Sequence, residues 1–173
     1  MQKITIVLGG ARSGKSYYAL KEASQIKGKK AFIATAEALD EEMRARIAKH
    51  KKERGNNWDT YEEPLHIATL IDKIKGTYDV ILIDCLTLWV SNIMHIDLDI
   101  TEEIEKLVSV ISSVSSESLY IVSNEVGLGL VPDSPLGRAY RDNLGRLNRK
   151  VAQAATDVIF MVAGIPLKVK GDR

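Results

Sequence analysis

The chain has 173 residues, 45% of them hydrophobic and 27% charged, the proportions of an ordinary globular protein with room for one sizeable core. Its 24 Lys and Arg against 23 Asp and Glu leave a net charge of +1; that supplies no bulk attraction to nucleic acid or an anionic membrane, so neither is expected as a partner. The single cysteine, Cys85, excludes an internal disulfide framework and a multi-cysteine zinc site.

No apolar run approaches the roughly 20 residues of a membrane span. Met1-Gln2-Lys3 leads directly into a short apolar segment ended by glycines, so no secretory leader is expected and the cytoplasm is the expected compartment. Lys3 to Leu8, rich in β-branched residues and stopped by Gly9-Gly10, predicts a buried strand. Ser13 to Ile26 has helical composition and stops at Gly28, and Lys30 to Ala34 is a second strand. Asp40 to about Arg54 is predicted helical, with Met43, Ile47 and His50 on one face, and Gly55-Asn56-Asn57 breaks it. A helix over His66 to Lys75 precedes a third strand, Tyr78 to Asp84. Ile100 to Val114 is a further helix with Thr101 as its N-cap. A fourth strand at Leu119 to Ser123, a long helix over Leu136 to Ala155 and a fifth strand at Val158 to Ala163 complete the pattern. Near-continuously apolar strands alternating with helices predict one α/β domain over residues 1–173, its mainly parallel sheet covered by helices on both faces.

Gly9-Gly10-Ala11-Arg12-Ser13-Gly14-Lys15-Ser16 matches G-x-x-x-x-G-K-[ST] in full, between a predicted strand and a predicted helix. In such a P-loop, glycines let backbone N–H groups turn inward around a phosphate chain, and the following helix adds its positive end. Lys15 can reach the outer phosphates and the Ser16 hydroxyl can ligate Mg²⁺. A carboxylate at a strand tip is costly to desolvate unless a cation answers it, so Asp84, closing Val80-Ile81-Leu82-Ile83, is the expected acid on the Mg²⁺ side. With the parallel sheet, these motifs predict a P-loop NTPase-like, RecA-like fold that binds nucleotide. They do not name a phosphoryl acceptor, and a small-molecule kinase without any covalent nucleotidyl intermediate satisfies them. A nucleotide-binding regulatory module would do so too. A nucleic-acid motor is disfavoured by the lack of a basic excess or aromatic stripe.

His50 lies four residues after Arg46 and four before Arg54, so the three share a helix face. Cationic neighbours disfavour the imidazolium, and a neutral imidazole can act as a nucleophile; a surface histidine on a lysine-rich helix is the plainer alternative. His66 and His95 have no such setting and are taken as structural. Asn124 to Pro132 begins where the fourth strand ends, the edge at which open parallel sheets bind ligands, and Arg138, Arg141, Asp142 and Asn148 follow.

Together these residues resemble the adenosylcobinamide kinase/adenosylcobinamide-phosphate guanylyltransferase family of cobalamin biosynthesis. The resemblance runs through Gly9 to Ser16, Ala34-Thr35-Ala36, Arg46-Ile47 with His50, Arg54, Trp58 and Glu62, then Asp84-Cys85-Leu86-Thr87 with Asn92. It continues through Asn124 to Pro132, Arg141-Asp142 with Gly145 and Asn148, and Ala163-Gly164 with Lys168. The His–Arg–Trp–Glu group and Asn-Glu-Val-Gly-x-Gly-Leu-Val-Pro are its specific parts; Gly55, where many members carry proline, is one departure. The resemblance implies two reactions: γ-phosphoryl transfer from ATP or GTP to adenosylcobinamide, then GMP transfer from GTP to that phosphate through a guanylylated His50. It implies nucleotide contacts at Ala34, Thr35, Ala36, Lys51, Lys52, Glu53, Arg54 and Glu62, and Mg²⁺ at Ser16 and Asp84. A homo-oligomer, a trimer being one form, is also implied.

Overall fold

The computed structural model describes residues 3–38, 41–96, 98–114 and 118–172, and for residues 42, 43, 46, 49, 50, 53 and 56 the main chain alone. Asp40, the expected helix start, lies outside the described residues. Seven strands form one sheet, β1 (Lys3–Gly9), β2 (Lys30–Ala34), β3 (Asp59–Glu62), β4 (Val80–Asp84), β5 (Ser118–Val122), β6 (Asp157–Val162) and β7 (Ile165–Lys170), in the spatial order β3-β2-β4-β5-β1-β6-β7. All neighbours pair parallel except β6 and β7. The helices are α1 (Lys15–Gln25), α2 (Glu41–Arg54), α3 (Ile67–Ile74), α4 (Leu86–His95), α5 (Ile100–Ser113) and α6 (Pro135–Ala154).

The alternation of side chains along each strand divides the core into two. Ile4, Ile6, Ile33, Ile81, Ile83, Leu119 and Ile121 face α3, α4, α5 and α6, meeting Ile67, Ile71, Trp89, Leu107 and Leu144. Val7, Phe32, Leu82, Tyr120 and Val122 face the other way, onto Ala19 and Ala23 of α1. Each fully buried isoleucine or leucine contributes about 1.5–3 kcal/mol relative to exposure. The two alanines let α1 lie close against β5 and β4, which sets the height of the loop that precedes it.

The five expected strands and five expected helices are present within one or two residues of their predicted ends. Two strands and a helix were not predicted. α4 is the sequence Leu-Thr-Leu-Trp-Val-Ser-Asn-Ile-Met-His, whose β-branched and aromatic members lower helix propensity. It forms because Leu86, Trp89, Val90 and Ile93 are all buried, and the Trp89 indole N–H donates to the Leu65 carbonyl at 2.7 Å. β7 carries Pro166, which weakens a strand reading, yet as an antiparallel edge strand it tolerates the missing donor. Ala163 and Gly164, at φ 49° and 84°, make the two-residue turn that returns β6 into it. β3 is only four residues long, also at an edge. The cap of α5 is Asp99, not Thr101: its carboxylate accepts from the N–H groups of Thr101 and Glu102 at 2.9 and 3.0 Å.

Candidate active site

The P-loop leaves the end of β1 and closes on the start of α1. Gly9 stands at φ 149°, and a Cβ there would sit 2.7 Å from both the Met161 carbonyl oxygen and the Ser13 Oγ, so only glycine fits. Gly14 takes the left-handed conformation as N-cap of α1, and Arg12 at φ 55° is held there without a glycine's freedom. The first turn of α1 contains no acidic residue, so the positive end of its dipole is left for an anion. Lys15 is 7% exposed, and its ammonium turns back over the loop to donate to the Gly10 carbonyl at 2.5 Å. From the far side, the β6–β7 turn supports the loop: Gly164 N–H donates to the Ser13 carbonyl at 3.1 Å.

Asp84 ends β4. It is in register with Val122 of β5, and Val122 with Val7 of β1, so the acid and the cradle strand are separated by one interposed strand, about 10 Å at the usual strand spacing. Ser16 and Asp84 offer a hydroxyl and a carboxylate, and among the described residues no cluster of three or more His, Cys, Asp and Glu side chains occurs. Two hard oxygen donors suit Mg²⁺, which takes its remaining ligands from phosphate and water and is rarely caged by protein alone.

On the other flank, Ala34 pairs with both Asp84 and Glu62, so three expected site residues stand in one row at the C-terminal edge of β4, β2 and β3. Beyond them a groove of about 490 Å³ is lined by Ala36, Arg44, Ile47, Lys51, Glu62 and Pro64. Lys51 on α2 and Glu62 on β3 form an ion pair across it. The Arg54 guanidinium stacks over the Phe32 ring at 3.8 Å. Burial lowers its pKa from the ordinary arginine value, while the charges of Asp84 and Glu62 push the other way, which places all three in one electrostatic neighbourhood. Phe32 in turn meets buried Trp58 edge-on at 6.3 Å, so the family-type tryptophan buttresses the ring on which Arg54 stacks.

His50 and Glu53 belong to α2, but their side chains, like that of Arg46, lie outside the described residues. Lys52 is exposed on the same helix. Thr35 is fully buried, and its hydroxyl is occupied with the main chain of Cys85, donating to the carbonyl at 2.7 Å and accepting from the N–H at 2.8 Å. Its side chain therefore joins β2 to the end of β4, leaving Ala34 and Ala36 to border the site. Burial pushes the Cys85 thiol up to about 11, with the Asp84 charge adding to it.

The segment after β5 is more tightly organised than its glycines suggest. Asn124 N–H donates to Thr87 Oγ1 at 2.7 Å and its carbonyl accepts from Asn148 at 2.9 Å, while Glu125 N–H donates to the Gly9 carbonyl at 2.9 Å. Arg141 donates to the Gly127 carbonyl at 2.8 Å, and Arg138 to those of Pro132 and Asp133 at 3.1 and 2.6 Å. The two arginines and Asn148 on α6 thus hold the loop. Glu125 lies within the Asn124–Pro132 segment expected at the ligand edge of the sheet, although the sequence assigns it no separate role.

The model of the cobinamide kinase / cobinamide phosphate guanyltransferase family matches residues 5–169. The chain belongs to that family. Among curated relatives, a bifunctional adenosylcobalamin biosynthesis protein CobP of Pseudomonas aeruginosa is 40% identical over 169 residues, covering 96% of this chain and 97% of the relative. The bifunctional adenosylcobalamin biosynthesis protein CobU of Escherichia coli is 36% identical over 183 residues, covering 95% and 98%. Solved structures share the fold at far lower identity. The RadB recombinase matches with TM-score 0.56 and 14% identity over 91% of this chain and 73% of its own. The flagellar accessory protein FlaH of Methanocaldococcus jannaschii matches with TM-score 0.55 and 12% identity over 98% and 79%. The expected RecA-like P-loop fold is therefore the observed one. Among the described residues no helix is long and apolar enough to cross a membrane.

Proposed function

We propose that this chain, as one undivided domain, carries out both reactions named by its family. The γ-phosphoryl group of ATP or GTP passes to the aminopropanol hydroxyl of adenosylcobinamide, and GMP then passes from GTP to the new phosphate with His50 as covalent carrier. One observation carries this reading. The glycine cradle with Lys15, the carboxylate of Asp84, and the Ala36–Lys51–Glu62 groove beside the helix bearing His50 lie along one edge of one sheet.

In the guanylyl step, an unprotonated ring nitrogen of His50 forms a bond to the α-phosphorus, and the bond from that phosphorus to the α,β-bridging oxygen breaks, its electrons leaving with pyrophosphate. Lys15 and the α1 terminus face the outer phosphates, where that charge accumulates. The adduct keeps its N–H on the second nitrogen and is cationic at the ring, so the P–N bond is weak. An oxygen of cobinamide phosphate then forms its bond to the phosphorus, and the imidazole departs neutral. One difficult displacement becomes two easier ones. Arg54, four residues after His50 on α2, favours the neutral ring at the outset, and Lys51, Lys52 and Arg54 in the last turn of the helix steady phosphate oxygens. Glu62 suits the N–H edge of guanine; its exposed pairing with Lys51 is weak enough to be exchanged for a base. Ser16 and Asp84 would hold Mg²⁺, which would supply charge neutralisation on the phosphates.

The same cradle serves the kinase step. We also expect a homo-oligomer, a trimer in the simplest case, acting in the cytoplasm. Exposed Ile165, Leu167 and Val169 along the edge strand β7 support self-association, which sedimentation equilibrium tests. Intact-mass measurement after incubation with GTP and Mg²⁺ tests the chemistry. One added guanylate mapping to His50, acid-labile and base-stable, is expected; an adduct unchanged in His50→Ala refutes the covalent role.

A further inference from the structure

The two reactions differ in what their acceptors must lose. The kinase acceptor is an alcohol, and its oxygen can bond to phosphorus only as its proton leaves. The guanylyl acceptor is already a phosphate oxyanion and has no proton to surrender. A proton acceptor is therefore needed for one reaction alone, near the outer end of the triphosphate.

Described carboxylates at this edge of the sheet divide by position. Asp84 is the metal-side acid, Glu62 is paired with Lys51, and Glu37 lines the groove on the β2 side. Glu63 accepts from the N–H groups of Leu65 and His66 at 3.0 and 2.8 Å. Glu125 differs from all of them. It follows β5, the strand between the cradle strand and the Asp84 strand, and its own N–H is bonded to Gly9 of the cradle at 2.9 Å. One oxygen, Oε1, accepts from Gly127 N–H at 2.7 Å, which fixes the carboxylate, and among the described residues Oε2 makes no hydrogen bond.

The loop that Glu125 opens also presents an apolar surface. Leu128 is 80% exposed and Leu130 95%, with Val131 and Leu136 exposed beside them. Exposed aliphatic side chains so close together in sequence, on a loop that two arginines hold in place, mark a contact surface. The corrinoid, a broad macrocycle whose rim carries methyl groups between its amide arms, is the largest substrate in the family's reactions and the one that can cover such a surface. Glu125 opens that loop where its main chain is bonded to Gly9 of the cradle.

We propose that Glu125 takes the hydroxyl proton of the corrinoid in the kinase reaction, while the corrinoid rests on Leu128, Leu130 and Val131. The acceptor oxygen forms its bond to the γ-phosphorus, the bond from that phosphorus to the β,γ-bridging oxygen breaks with its electrons going to the nucleoside diphosphate, and the proton moves to Oε2 of Glu125 and later to water. This rests on the family reading above, and it concerns the acceptor side, which that reading leaves unassigned.

Glu125→Gln keeps an oxygen to accept from Gly127 N–H and removes the proton acceptor. Steady-state assays of the full chain with adenosylcobinamide, ATP and Mg²⁺ should show kcat reduced about 10²–10⁴-fold with the KM for ATP unchanged. Guanylyl transfer to supplied adenosylcobinamide phosphate should remain at the wild-type rate. Unimpaired phosphorylation by this variant overturns the proposal, and so does a parallel loss of both reactions, which would mean that Glu125 only anchors its loop. Leu130→Ser should raise the KM for adenosylcobinamide about tenfold through lost apolar contact without changing that for ATP. An unchanged value removes the docking surface and leaves the leucine to another occupant, such as a second copy of the chain. None of these failures touches the His50 adduct, which intact mass reads separately.

Discussion

The guanidinium of Arg54 lies 3.8 Å above the centre of the Phe32 ring. Arg54 is the last residue of α2 and Phe32 is the middle of β2, so this stack fixes the end of the histidine-bearing helix over the sheet. Such a contact is worth about 0.5–2 kcal/mol, more when desolvated. Arg54→Ala should slow guanylylation from labelled GTP by about tenfold, the equivalent of about 1.4 kcal/mol. Arg54→Lys should restore little, because an ammonium has no flat face to stack. Recovery of the wild-type labelling rate in Arg54→Lys would show that charge alone matters there.

The shared cradle ties the two activities together at Lys15 and separates them at His50. Lys15→Ala should lower both phosphorylation and guanylyl transfer by about 10²–10³-fold or more, the usual cost of losing a preorganised charge donor. His50→Ala should remove guanylyl transfer while phosphorylation of adenosylcobinamide continues. Paired assays on the two purified variants check this, and full guanylyl transfer by Lys15→Ala contradicts a common loop.

Gly9→Ala tests the backbone of the cradle. The added carbon would meet a main-chain oxygen and a buried hydroxyl at 2.7 Å, at a φ that an L-residue resists. The strain should cost about 1–3 kcal/mol, which at about 2–4 °C per kcal/mol for a chain of this size lowers the Tm visibly in a melting scan. GTP should recover less of that loss than it does for wild type, because the loop is displaced.

Asp157 sets an acid limit on stability. Burial alone would raise its pKa, but the hydrogen bond from Lys168 and the charges of Lys3 and Lys168 outweigh it, and the carboxyl titrates below its ordinary value. A carboxyl depressed in the folded state contributes stability above its unfolded pKa, about 3.9, and that contribution disappears as pH falls through the lower folded value. Wild type should therefore lose Tm more steeply than Asp157→Asn below about pH 4. Parallel slopes in the two melting series would remove the Lys168 pair from the account.

Legibility in the sequence followed how local the determining physics was. The P-loop could be recognised because every residue of it acts within one turn of chain, and the strand ending in Asp84 because a buried parallel strand is apolar throughout. α4 was hidden because Trp89, Val90 and Ile93 look like strand residues until tertiary burial decides. β7 was hidden by Pro166, and β3 by its brevity. The grouping of Arg54, Glu62 and Asp84 depends on β2 lying between β3 and β4, a matter of sheet order that spacing along the chain does not encode. Thr35 shows the converse: it stands among the expected nucleotide contacts, yet its hydroxyl is already occupied with the main chain of Cys85.

The strand that carries the cradle has no nearby partner in the chain. Thr5 pairs with Tyr120 on one side and with Asp157 on the other. During synthesis the first strand must wait beside unfinished neighbours until the sixth has left the ribosome, and pairings so distant in sequence form slowly. Nucleotide can stabilise only what already binds it, so GTP cannot favour the pairing of β1 with β5 and β6 before those strands exist. The triphosphate protects the finished enzyme and cannot guide its birth.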